Sequence, residues 1–282
     1  MKNIENILVI GGTGKTGRKV AQKLLAKGHD VRIGSRNATP AFDWDNKETW
    51  VGALDGMDKA YITFQPDLAV PGALDAIEQL TKVAKRQGVK KLVLLSGKGE
   101  REAELCEQVV MHSGIDYTIV RASWFSQNFS ESFFLAPIID GFVALPQADI
   151  QIPFVDTEDI ASVVVAALLG DTHNGKTYQL TGPSTLNFKE AIDQIAKASN
   201  REIAFAHISL STYVDVMKQQ GVPADFIWLI EYLFTEVLGN PKNSEVTGDI
   251  EAVLGRKPID FTDYTLTTAK NGVWNSKTTA VH

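Results

Sequence analysis

The stretch "LVIGGTGKTG", Leu8 to Gly17, decides the fold, and it reads in two ways. "GKT" is the ending of a phosphate-binding P-loop, whereas "GGTGKTG" has the glycine pattern of a dinucleotide-binding turn. A P-loop with Gly14-Lys15-Thr16 at its end requires a glycine at position 9, and position 9 is Val9. The loop is therefore too short to wrap a triphosphate. Gly12, Gly14 and Gly17 satisfy G-x-G-x-x-G, and Gly11, Gly14 and Gly17 satisfy G-x-x-G-x-x-G. An apolar run precedes the loop and an amphipathic one follows it, the context a dinucleotide turn needs. The first glycines permit the tight turn, the middle one lets a pyrophosphate approach the backbone, and Gly17 lets helix pack on strand. Gly11, Gly12, Thr13, Gly14, Lys15, Thr16 and Gly17 are the cofactor-binding candidates of this loop, where the pyrophosphate would meet unpaired N–H groups and the positive end of a helix dipole.

Outward from this loop, strand and helix patterns alternate. "NILVIGG" reads as a buried parallel strand; Val20, Ala21, Leu24 and Leu25 repeat at helical spacing until Gly28. "DVRIGSR" is a second strand, "AFDW" a short third, "KAYITF" a fourth, "KKLVLLSG" a fifth and "DYTIV" a sixth. Between them, Ala73, Leu74, Ile77, Leu80 and Ala84 mark one helix, and Leu105, Val109 and Val110 another. The rhythm predicts an α/β fold, a Rossmann-like doubly wound parallel sheet with right-handed crossovers. It breaks after Arg121. Residues 122–155 are rich in Phe and Trp, with a hairpin expected in "GFVALPQADIQIPFV". "TEDIASVVVAALLG" is a helix with Thr157 as its N-cap, "KTYQLTGP" a strand, and "NFKEAIDQIAKAS" and "DFIWLIEYLFTEVLG" are helices. This predicts a cofactor domain over 1–155, whose sheet also takes later strands, and a smaller α+β substrate lobe over 156–282.

The 282 residues are 44% hydrophobic and 22% charged, with a formal net charge of −6. No long Lys/Arg run appears, which argues against direct nucleic-acid binding. The single cysteine, Cys106, sits in a helical pattern and reads as a small buried hydrophobe. The five histidines are scattered, so no metal site is expected. No apolar run approaches membrane-spanning length and no leader pattern precedes the first strand, so the expected location is cytoplasmic, as a monomer or homodimer.

The end of the second strand chooses between cofactors. An NAD site wants Asp or Glu there to bond the ribose 2′-hydroxyl. "RIGSRN" offers Ser35 and Arg36 instead, and an arginine suits a 2′-phosphate by charge and by stacking on adenine. NADP(H) is the expected cofactor.

Taken together, "VIGGTGKTG", "IGSRN", "LVLLSG", "HSGIDYTIVRASWFSQNF" and "PFVDTEDIA" resemble the NmrA-like group of atypical short-chain dehydrogenases over about residues 4–275. "RIGSRN", "FDWDNKETW" and "SWFSQNF" look most like the festuclavine/agroclavine dehydrogenase branch, which reduces a cyclic iminium with NADPH; the group's NAD(P)H:quinone oxidoreductases are also similar. The resemblance implies roles by position. Asp43 would contact adenine, and Phe64, Gln65 and Pro66 would flank adenosine and the nicotinamide ribose. Ser96 stands at the place of the dehydrogenase serine, the one catalytic candidate. Trp124, Phe125 and Asn128 would meet nicotinamide and substrate, and Asp156 and Asp159 read as structural capping. Glu107 falls on the family's Glu. The Tyr-x-x-x-Lys of ordinary short-chain dehydrogenases would then fall on Gly99 and Ala103, so the usual proton donor and its lysine are absent.

Carbonyl reduction needs a proton on a developing alkoxide, whereas an iminium needs none from the protein and a quinone can take one from water. The expected function is hydride transfer to a small cyclic acceptor. Trp124, Phe125, Phe129, Phe133 and Phe134 are candidates for an aromatic wall, with Tyr213, Phe226, Trp228, Tyr232 and Phe234 on a covering lobe. Lys98 and Tyr117 are acids only if they face the pocket. The rival reading is a redox sensor that binds NADP(H) and acts through a protein partner.

Overall fold

The computed structural model describes residues 4–275. Its elements run β1 (Asn6–Ile10), α1 (Gly17–Ala26), β2 (Asp30–Gly34), α2 (Glu48–Leu54), β3 (Lys59–Ile62), α3 (Ala73–Arg86), β4 (Lys91–Gly97), α4 (Arg101–Met111), β5 (Asp116–Ala122), α5 (Asn128–Glu131), α6 (Leu135–Asp140), β6 (Phe142–Leu145), α7 (Thr157–Leu169), β7 (Lys176–Leu180), α8 (Phe188–Ser199), β8 (Ala204–His207), α9 (Leu210–Gln219), α10 (Ala224–Tyr232), α11 (Asp249–Leu254) and α12 (Phe261–Lys270). The chain forms two compact units. One takes the chain through Ala122 together with Thr157–Leu180 and Gly248–Arg256; the other takes Ser123–Asp156, Thr181–Thr247 and the chain from Lys257.

The first unit holds a six-stranded, wholly parallel sheet in the order β2-β1-β3-β4-β5-β7. Ile7, Leu8, Val9 and Ile10 are all fully buried. Leu8 and Ile10 join side chains of α2, α3 and α4 in one core, while Ile7 and Val9 lie outside that cluster. The strand is thus covered on both faces, which is why it reads as an unbroken apolar run. Strand order reverses between β1 and β3, so the loop after β1 sits at the topological switch point, where open α/β sheets hold ligands. At the opposite edge, Lys59 and Lys91 from the starts of β3 and β4 donate to Leu168 O at 2.6 Å and Gly170 O at 2.8 Å, placing two cations at the carboxyl end of α7.

Several expectations are corrected here. "AFDW" is not a sheet strand: its only pairing is a bridge between Asp43 and Asn46, because Phe42 and Trp44 turn into an aromatic cluster with Trp50. The hairpin within 141–155 does not form. β6 pairs in parallel with β8, and Ile152 bridges Leu186. Leu25, Leu74 and Leu105 lie on exposed helix faces; α4 buries Ala103, Cys106, Glu107 and Val110 instead. Thr157 is the first helical residue of α7 rather than the residue before it.

The second unit has its own core, in which Phe129, Phe134, Phe154, Phe188, Phe234 and Phe261 meet edge-on or tilted. α8 opens on a capping box, with the Asn187 side chain and Glu190 satisfying each other's backbone N–H. Arg201 donates to Ile138 O, Ile139 O and Trp274 O, tying the end of α6 to the end of the described chain.

Candidate cofactor site

The glycine loop is shaped from below. Gly11 takes a left-handed φ of +69°, and a β-carbon there would run into Thr63 Oγ1, whose hydroxyl donates to Ile10 O at 3.0 Å. Gly11 N–H donates to Gly34 O, and its own carbonyl accepts from Gly14 N–H, both at 2.9 Å. A β-carbon at Gly17 would collide with that same Gly11 carbonyl. Gly12 packs against Val9 O and Ile33. Thr13 and Gly14 are exposed at the loop's tip. The N–H groups of Gly12 and Thr13 meet no backbone acceptor among the described residues, so they remain available to an anion. Lys15 is half-buried. Thr16 is buried beneath the loop, and its Oγ1 accepts from the Tyr61 hydroxyl at 3.0 Å. Burial lifts the Tyr61 phenol far above its ordinary value, so it stays a neutral donor.

At the end of β2, the Ser35 carbonyl accepts from Ala38 and Phe42 N–H, folding the following turn back. Arg36 is exposed, and none of the described residues pairs with it. The 42–50 block stands beside this end. Asp43 Oδ1 accepts from Asp45 N–H, and its carbonyl accepts from the Trp50 indole at 2.6 Å. Trp44 lies 4.6 Å from Phe64 between ring centres, and its indole donates to Thr63 O at 3.2 Å. Gln65 and Pro66 follow, both exposed.

Ser96, at the end of β4, is buried and donates its proton to Glu107 Oε1 at 2.6 Å. Arg121 holds the same carboxylate through Nε at 2.9 Å and through its terminal nitrogen at 2.6 Å, and reaches Glu104 as well. Glu107 raises the Arg121 guanidinium further above its ordinary value. Ser96 therefore has lone pairs to offer a ligand, its proton being committed. Glu107 lies on the second turn of the helix that follows Ser96, and the family's Glu was the sequence signal for it. Trp44, Thr63 and Tyr61 carried no such signal, because their part is to shape the loop from β3, its end and the segment before α2. Tyr117 pairs in register with Leu92 at the start of β5, the end of the sheet opposite Ser96, and so is no acid for this site. Cys106 is buried; burial pushes its thiol up to about 12, leaving it inert. Gly99 and Ala103 occupy the turn and the buried face of α4.

In the second unit, Trp124 is half-buried with Phe188 and Phe234 edge-on to it at 5.7 and 5.5 Å. Phe125 and Asn128 are also half-buried. Of the aromatics expected to form a wall, Phe129, Phe134 and Phe234 are core, whereas Phe133, Tyr213, Phe226 and Tyr232 keep part of their surface. Trp228 is exposed and stacks on Tyr232. Among the described residues, no His, Cys, Asp and Glu group is arranged to hold a metal, and no helix is long and apolar enough to cross a membrane.

A parallel sheet of this order, with a glycine loop at its switch point, defines a Rossmann-type α/β protein. The sequence profile of the NmrA-like family matches residues 3–265, and the chain belongs to that family. It is 28% identical to the prestalk A differentiation protein A of Dictyostelium discoideum, over 94% of this chain and 93% of that one. It is 26% identical to festuclavine dehydrogenase easG of Aspergillus fumigatus, over 92% and 96%. Its fold matches the crystal structure of the NADPH-dependent quinone oxidoreductase QOR2 of Escherichia coli complexed with NADPH, at TM-score 0.71 and 21% identity, covering 92% of this chain and 98% of that one.

Proposed function

We propose that this protein is an NADP(H)-dependent oxidoreductase that passes hydride to a small, cyclic organic acceptor, an imine, iminium or quinone, without a Tyr-x-x-x-Lys acid. The observation that carries the reading is the glycine cradle beside an unpaired Arg36. The residues fit the cofactor. The N–H groups of Gly12 and Thr13, without a backbone acceptor, lie just before α1, and β-carbons are excluded at Gly11, Gly12 and Gly17, which holds the loop in its tight turn. The resemblance to a festuclavine dehydrogenase and to an NADPH-bound quinone oxidoreductase supports the oxidoreductase class.

In this reading NADPH, when bound, supplies the hydride. Residues Gly11 to Gly17 bind its diphosphate, and Lys15 adds positive charge. Arg36, with Ser35, takes the 2′-phosphate, since a planar guanidinium suits a phosphate dianion. Asp43 is assigned to adenine, and Phe64, Gln65 and Pro66 to the adenosine and nicotinamide ribose. Ser96, fixed by Glu107, accepts a hydrogen bond through its oxygen and orients what it meets. Trp124, Phe125 and Asn128 are assigned to the acceptor, whose flat or cationic surface suits aromatic faces. We place the protein in the cytoplasm, as a monomer or homodimer acting on small molecules rather than nucleic acid.

The second reading is an NADP(H) sensor acting through a protein partner, favoured by Gly99 and Ala103 at the positions of the missing tyrosine and lysine. Following NADPH oxidation with cyclic imines, iminium salts and quinones decides between them. Turnover supports the enzyme; tight NADPH binding without turnover of any of them supports the sensor.

A further inference from the structure

Glu100 lies in the turn between β4 and α4 and is 7% exposed. Its carboxyl folds back over the end of β4, where a β-carbon at Gly97 would occupy the same space, so the glycine makes room for it. Its partner comes from another strand's loop. Asp67, after β3, is hydrogen bonded to Glu100 and accepts the Ala69 N–H at 2.8 Å. Glu100 Oε2 is buried and finds no hydrogen-bond partner. An ionised carboxylate with an oxygen stranded there would forfeit much hydration; a neutral carboxyl forfeits far less.

The charges that weigh most on Glu100 are those of Asp67, Glu102 and Glu107, all negative. Arg121 offsets Glu107, and the Cys106 thiol on the same helix is neutral. Burial first, then Asp67, holds Glu100 well above the usual carboxylate range; burial also lifts Asp67. The two loops leave the carboxyl ends of adjacent strands, the edge that carries the glycine loop and Ser96. Glu100 directly follows Gly99, the position of the missing tyrosine.

We propose that Asp67 and Glu100 share one proton at neutral pH and donate it to an acceptor that takes up a proton with its hydride. This deepens the proposed function and rests on it: among the proposed acceptors it singles out neutral cyclic imines, which take up a proton together with the hydride. The imine nitrogen takes the pair's proton, the C=N carbon takes the hydride of NADPH, and amine and NADP+ result. The pair regains its proton from water through Asp67, the more exposed member.

The experiment compares wild type, Glu100→Gln and Asp67→Asn on a neutral cyclic imine and on its N-methylated iminium, which needs hydride alone. NADPH affinity is followed by calorimetry. Both variants are expected to keep NADPH affinity and the iminium rate within about twofold, while imine reduction slows at least about tenfold and its pH profile flattens. Equal losses on both acceptors in both variants would show a structural role and overturn the proposal. An infrared band of a protonated carboxyl at neutral pH, lost in Glu100→Gln, reads the shared proton directly, and its absence from wild type also overturns the proposal. A wild type that reduces neither acceptor overturns the proposed function and the donation with it; the band then still decides whether the proton is shared.

Discussion

The Ser96 hydroxyl and the Glu107 carboxylate stand 2.6 Å apart, and the proton between them belongs to a clamp that Arg121 closes from β5. Removing the carboxylate strands a guanidinium and a hydroxyl together. Glu107→Ala is expected to destabilise the fold by about 3–5 kcal/mol, against about 1 kcal/mol for Ser96→Ala. Urea denaturation checks the order; comparable losses would mean that the clamp does not hold β4, β5 and α4 together.

Gly17 lies against the Gly11 carbonyl with no room for a methyl group. Gly17→Ala must push the loop away from the helix, at a cost of about 1–3 kcal/mol. NADPH affinity should fall at least tenfold, about 1.4 kcal/mol, as the cradle widens. Calorimetry alongside thermal unfolding separates the two effects, and unchanged affinity would remove this loop from the cofactor site.

Arg36 is the exposed cation at the end of β2. Arg36→Asp replaces attraction to a 2′-phosphate by repulsion, and offers a ribose hydroxyl an acceptor. The variant should bind NADPH at least about tenfold more weakly and leave NADH nearly unchanged or improved. Equal losses for both cofactors, measured by titration, would show that Arg36 does not read the phosphate.

Two carboxyls give pH dependences of opposite sign. Glu100 is held above the usual carboxylate range by burial, so the folded state keeps a proton that the unfolded chain releases. Its contribution to stability falls as pH rises from the ordinary carboxylate value toward the raised one. Asp58 is held below that range, first by the Lys90 ammonium at 2.8 Å and then by Asn6 N–H. Its contribution is present above the ordinary value and disappears as pH falls through the lowered one. Stability curves of Glu100→Gln and Asp58→Asn against pH should each lose one slope, on opposite sides.

Much of the sheet was legible because β1, β3 and β4 are buried on both faces and so read as continuous apolar runs. "AFDW" misled because Phe42 and Trp44 alternate with polar neighbours as a strand does, yet their rings pack with Trp50 and Phe64. β6 misled for another reason: its partner, β8, lies far along the chain, and non-local pairing leaves no local mark. The glycine loop could be read because the backbone leaves no room for a β-carbon at Gly11, Gly12 and Gly17. The Asp67–Glu100 pair could not, since loops of two different strands bring it together.

The unit that carries the sheet is written in three instalments along the chain, and the outer partner of β5 is supplied in the second. During synthesis, residues 123–175 must leave the ribosome before β7 can dock, and until then β5 shows a bare row of backbone donors and acceptors. A fragment ending soon after Ala122 would carry that open seam for good, inviting strands from other molecules. Cutting the gene there should yield inclusion bodies rather than a miniature nucleotide binder.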